Sequence, residues 1–99
     1  MKTPQEDLME DLKNLEFAKY FAAEDAKLAF AIVLLKAREN AKLTQKEFAA
    51  KLGISQPYYG KLERGEANPI LGVVGQILAI LGLKLVLTPI LRRRLGGNE

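Results

Sequence analysis

The 99-residue chain has no cysteine, no histidine and no tryptophan. Without cysteine there is neither a disulfide nor a thiolate metal site. With histidine absent as well, most nucleophilic, general-base and zinc chemistries drop out. No carboxylate pair sits on an otherwise apolar stretch, so paired-acid catalysis has no footing either. No catalytic residue, no metal ligand and no cofactor is expected, and the chain does not read as an enzyme. Internal repeats and low-complexity segments are missing too. One stretch, residues 70–91, is mostly apolar and long enough to span a bilayer, with Arg92-Arg93-Arg94 behind it. Gln76, Lys84 and Pro89 interrupt it, and a lysine near the middle of a span costs about 3 kcal/mol on insertion scales. A membrane anchor is therefore not expected. The polar, acidic opening Met1-Lys2-Thr3-Pro4-Gln5-Glu6-Asp7 offers no secretory leader, and a cytoplasmic location is the expectation.

What is present is an uneven charge distribution. The net charge is +3, but residues 1–27 carry −3 and residues 28–99 carry +6. A basic body suits a phosphate-backbone partner. An acidic arm suits a second and different partner, or is simply the usual enrichment of acids at helix starts. Hydrophobic residues at 48% and charged residues at 27% fit one globular domain. A core of this size is modest, so a partner subunit that buries further surface would stabilise it.

The apolar spacing reads as an all-α chain with five helices and a short strand. Thr3-Pro4-Gln5-Glu6 is a capping box with proline at the first helical position. Leu8, Leu12 and Leu15 follow at helical spacing, and this helix is expected to fade near Ala22 or Ala23. A second helix covers about residues 24–40. Thr44 and Glu47 form another capping box that opens a third helix to about Leu52, stopped by Gly53. Ser55 caps a fourth helix to about Arg64, with Pro57 in its first turn. Asn68-Pro69 signals a fifth, to about Leu81, closed by Gly82. Lys84–Thr88 reads as a strand. The organisation expected is an acidic helical arm (1–23), a helix-turn-helix domain (24–83), a C-terminal strand available to a dimer contact (84–91) and a basic tail (92–99).

Residues 45–62 carry the functional signal. Phe48, Leu52, Ile54, Tyr59 and Leu62 are the large apolar positions. Ala49 is small where two steeply crossing helices approach, and Gly53 sits where the turn needs freedom from β-carbon strain. The inner face of the fourth helix is then committed to the core, and the outer face is free to enter DNA. The run Thr44-Gln45-Lys46-Glu47-Phe48-Ala49-Ala50-Lys51-Leu52-Gly53-Ile54-Ser55-Gln56, followed by Lys61-Leu62-Glu63-Arg64-Gly65-Glu66 and Asn68-Pro69, resembles the phage-repressor (Xre/Cro) helix-turn-helix family. That resemblance implies a lambda-repressor-like domain. Two positions depart from the pattern. Tyr59 stands where Val or Ile is usual, and Gly60 lies inside the recognition helix at a cost of about 1 kcal/mol. The flanks Leu12-Lys13-Asn14-Leu15-Glu16-Phe17-Ala18 and Leu81-Gly82-Leu83-Lys84-Leu85-Val86-Leu87-Thr88-Pro89 are similar to those of HigA-type antitoxins. Such proteins repress their own operon and neutralise a RelE/HigB-like toxin that cleaves messenger RNA. A stand-alone Xre-family regulator is the alternative.

Each candidate has a chemical reason. Gln56, at the start of the recognition helix, can pair with adenine through two hydrogen bonds. Lys61, on the outer face, can reach a guanine or a phosphate. Tyr58 can touch a thymine methyl or a phosphate, and Pro57 can offer apolar contact alone. The resemblance implies that Gln45 bonds a phosphate and braces Gln56. Thr44, Lys46, Arg64 and Asn68 are candidate phosphate contacts, though Thr44 suits a cap better than a DNA contact. Arg38 and Glu63 resemble an ion pair that locks the second helix to the end of the recognition helix. Helix 70–81 is apolar nearly all round, and a homodimer is the simplest cover for its outer face.

Overall fold

A computed structural model describes residues 1–90 of the chain. The tail expected at 92–99 and the last residue of the expected strand lie outside the described residues.

The Thr3 hydroxyl accepts from the Glu6 amide (3.1 Å), and the Glu6 carboxylate accepts from the Thr3 amide (2.7 Å). Pro4 takes the first helical position and Glu6 and Asp7 face the positive end of the dipole. The helix so begun, α1, runs Pro4–Ala41 without interruption. The break expected at Ala22 or Ala23 does not occur, so the first two expected helices are one. The reason is visible in composition: no glycine precedes Gly53 and no proline follows Pro4 within this span, while Ala22-Ala23 are the strongest of helix formers. A helix of this length is about 57 Å long at 1.5 Å per residue, close to the 59 Å long axis of the molecule. It ends at Lys42, which is left-handed (φ 57°) and returns its amide to the carbonyls of Arg38 and Glu39.

Three short helices fold against the C-terminal turns of α1: α2 (Gln45–Leu52), α3 (Gln56–Glu63) and α4 (Leu71–Ile80). The core gathers Leu34 of α1, Phe48, Ala49 and Leu52 of α2, Tyr59 and Leu62 of α3 and Ile77 of α4. The Phe48 and Tyr59 rings meet edge to face with centroids 5.4 Å apart. Ala49 is buried where α2 and α3 converge. The packed part of α1 begins around Phe30; everything from residue 1 to Ala23 is exposed and stands clear of the bundle.

Two further expectations are corrected. Asn68-Pro69 does not start the last helix. Residues 66–70 form no helix, with Ala67 packed on the core, and α4 begins at Leu71 with no side-chain cap. No strand forms over Lys84–Thr88, and among the described residues none forms anywhere. A strand exists by pairing, and nothing in the single chain lies beside this segment to pair with it. Over the described residues the chain is therefore a four-helix arrangement, not five helices with a strand. At ten residues, α4 is about 15 Å long, half a bilayer core. Among the described residues no helix is long and apolar enough to cross a membrane.

Candidate nucleic-acid interface

The α2–α3 unit is built by local chemistry. Thr44 and Glu47 cap α2 reciprocally (2.9 and 3.1 Å), and the bond to the Thr44 amide holds the Glu47 carboxyl below its usual range. Gly53 terminates α2 at φ 73°, where a β carbon would be strained. Ile54 then tucks against the core, and the Ser55 hydroxyl accepts from the Tyr58 amide to open α3. Pro57 falls in the first turn, where its missing donor costs nothing.

One face of α3 faces inward through Tyr59 and Leu62, both buried. On the opposite face Gln56, Pro57, Lys61 and Arg64 are exposed. Of the candidates for base contact, Gln56, Pro57 and Lys61 thus share an open surface. Tyr58 does not stand free: it is half-buried and packs on the core. Among the candidates for phosphate contact, Thr44, Lys46, Arg64 and Asn68 are exposed and Gln45 is half-buried. Thr44 is engaged as the α2 cap.

Glu63 is the hub beneath this surface. Arg38 reaches it from α1 with two parallel bonds, Nε to Oε2 at 2.8 Å and Nη2 to Oε1 at 3.1 Å, and sends a third from Nη1 to the Leu43 carbonyl at 3.1 Å. The pair is largely covered, with side-chain exposures of 21% for Arg38 and 9% for Glu63. Gln45 Nε2 donates to Glu63 Oε1 at 2.9 Å. The Tyr59 hydroxyl donates to Glu63 Oε2 and also lies 3.4 Å from the Leu34 carbonyl. Burial pushes the Glu63 carboxyl up, but the bonds from Arg38, Tyr59 and Gln45, with the Arg38 charge, outweigh it and hold the pKa at about 2. Arg38 is correspondingly raised, chiefly by its bond to Glu63. Tyr59 is pushed well above its usual range by burial and then by the neighbouring carboxylate.

The structure therefore brings Arg38 and Glu63 together, and Gln45 spends its amide on Glu63 and not on Gln56. The parts that sequence reasoning missed are Gln45 as a donor to Glu63, and the Tyr59 hydroxyl. A tyrosine where Val or Ile is usual was the available signal: its added oxygen needs a partner when buried.

The helix-turn-helix family matches residues 34–87, more than half of the chain. The chain belongs to the helix-turn-helix family. Its relatives include an uncharacterized HTH-type transcriptional regulator of Sinorhizobium fredii, 38% identical over 56 residues. Another, from Haemophilus influenzae, is 32% identical over 57 residues. The matched segments cover 57% and 58% of this chain, and 29% and 58% of those two proteins, under two thirds of either. A solved chain of a toxin–antitoxin module from Streptococcus pneumoniae is similar over 91% of this helix-turn-helix protein and 96% of its own length, at 27% identity and a TM-score of 0.56. That likeness leaves out under a tenth of the chain, so it reaches well into the part of α1 that precedes the family's match.

Proposed function

We propose that this helix-turn-helix protein is a sequence-specific transcriptional repressor that also serves as an antitoxin. In this role it binds its own operator through α3 and neutralises an mRNA-cleaving toxin of the RelE/HigB type through the exposed part of α1. The observation that carries the antitoxin half is the arm itself. Leu8, Leu12, Leu15, Phe17, Tyr20 and Phe21 are each about half exposed or more on the part of α1 that stands clear of the bundle, and Leu28 beyond them is similarly open. A solvated helix has no use for so many large apolar side chains. The net charge of −3 over residues 1–27 suits a basic partner such as an RNA-cleaving protein. The likeness to a toxin–antitoxin module along most of the chain supports the same assignment.

On DNA, Gln56 reads a base, with Pro57, Tyr58 and Lys61 beside it. Gln45, Lys46, Arg64 and Asn68 hold phosphates. Two copies bind together. Ile70, Leu71 and Ile80 of the α4 region and Leu85, Val86 and Leu87 beyond it are exposed apolar surface that a second copy would cover. A stand-alone regulator is the second reading, favoured by the relatives named as transcriptional regulators without mention of a toxin.

Co-expression tests the choice. The antitoxin reading predicts a small basic reading frame adjoining this gene, whose product arrests growth alone and not when this protein is supplied. If no neighbouring product is toxic, or the protein fails to rescue while still retarding its upstream DNA in a gel, the stand-alone reading stands.

A further inference from the structure

Gly60 is buried although it lies on the outward row of α3, one turn after Gln56 and one turn before Arg64. What covers it is the end of Arg64. A β carbon placed on Gly60 would lie 3.2 Å from Arg64 Nη1, 4.0 Å from Arg64 Cζ and 3.8 Å from Gln45 Oε1. The guanidinium is also tied from the other side, Arg64 Nε to Glu66 Oε1 at 3.1 Å. Arg64 is thus folded back along its own helix into a notch that exists because residue 60 has no side chain. There its charge lies beside the Gln45 amide, itself fixed by Glu63.

We infer that Gly60 is a positioning residue. Its missing β carbon seats the Arg64 guanidinium on the outer face of α3, next to Gln45, where it meets a DNA phosphate. This inference rests on the DNA-binding role proposed above. A helix-interior glycine is otherwise unfavourable, and here the notch gives it a use. An alanine at this position drives a methyl against Nη1 at less than ordinary van der Waals separation. The planar fork must then give by a few tenths of an ångström, out of its seat beside Gln45.

The test uses the full-length protein and a random-sequence duplex, because a phosphate contact acts on any sequence. Anisotropy titrations over a salt series compare wild type, Gly60→Ala, Arg64→Ala, Arg64→Lys and the Gly60→Ala/Arg64→Ala double variant. Arg64→Ala is expected to lower the slope of log K against log salt by about one and to weaken binding three- to tenfold, roughly one phosphate contact's worth. Gly60→Ala should weaken binding in the same direction while melting no lower than wild type. The double variant should bind no worse than Arg64→Ala alone. Arg64→Lys, which keeps the charge without the planar fork, should fall below wild type whether or not Gly60→Ala folds. Wild-type affinity in Gly60→Ala or in Arg64→Lys overturns the inference, as does a double variant whose loss is the product of the two single losses. Failure of the wild type to bind any duplex at low salt overturns the DNA-binding role instead. In that case all variants are equally inert.

Discussion

Tyr59 and Glu63 stand one turn apart on α3, and the phenol of the first donates to the carboxylate of the second. Through that carboxylate, α3 is bonded to Arg38 on α1 and to Gln45 at the head of α2. The angle at which the outer face of α3 is offered is therefore set by polar bonds as well as by the core beneath it. Bonds to a charged, covered acceptor are worth more than those between neutral groups.

Tyr59→Phe removes one donor and leaves the ring packing on Phe48 intact. A hydrogen bond to a charged group contributes about 1.5–3 kcal/mol, and Glu63 keeps Arg38 and Gln45. Urea denaturation should show a loss near the low end of that range. A change within error of zero would mean that the phenol contributes nothing to holding Glu63.

Arg38→Ala strands the Glu63 charge under the α2–α3 unit. Breaking a covered pair on one side costs about 3 kcal/mol or more, a large share of the total stability of a domain this small. The expected result is a protein whose melting temperature falls steeply. Arg38→Ala should be worse than Glu63→Gln, which keeps acceptor and shape without leaving an unpaired anion.

Acid gives a second view of the same network. The Glu63 carboxyl is lowered from 4.5 to about 2 by folding, so the folded state prefers its ionised form. Its contribution is complete above about pH 4.5 and is lost as the pH falls through that range towards 2. Stability followed over this interval should decline more steeply in wild type than in Glu63→Gln. Parallel curves would remove Glu63 from the account.

Much of this was legible in the sequence. The two capping boxes, the Gly53 turn, the Ser55 cap and the division of α3 into buried Tyr59 and Leu62 and exposed Gln56 and Lys61 follow from local chemistry, which acts within a few residues. Misjudged features depend on what lies elsewhere. A break at Ala22 or Ala23, as expected, would have let Phe17, Phe21 and Leu28 fold back on the rest of the chain. With no glycine or proline there, the helix continues and those side chains remain outside. Lys84–Thr88 has strand-like composition, but pairing is a property of neighbours. Tyr58 had polarity enough to suggest an outward pose, and packing against the core half-covers it.

The arm gives its own prediction. Phe17 and Phe21 touch each other edge to face at 4.6 Å and no core residue. Replacing both with serine should leave DNA affinity unchanged and the melting temperature nearly so, because the only packing lost is between the two exposed rings and surface substitutions away from the core are usually worth within about 0.5 kcal/mol. The same variant should lose rescue of a toxin-arrested culture. Retained rescue would mean that the aromatic part of the arm does not hold the toxin.

The outward flank of α3 is the centre of the account, and base discrimination by Gln56 tests it most directly. Binding of wild type and Gln56→Ala should be measured on the DNA upstream of the gene and on a random duplex at one salt concentration. The variant is expected to lose about 1–3 kcal/mol on the upstream DNA and almost nothing on the random duplex, while Lys46→Ala weakens both alike. Equal losses for Gln56→Ala on the two DNAs, or no preference of the wild type for its own upstream sequence, would contradict it.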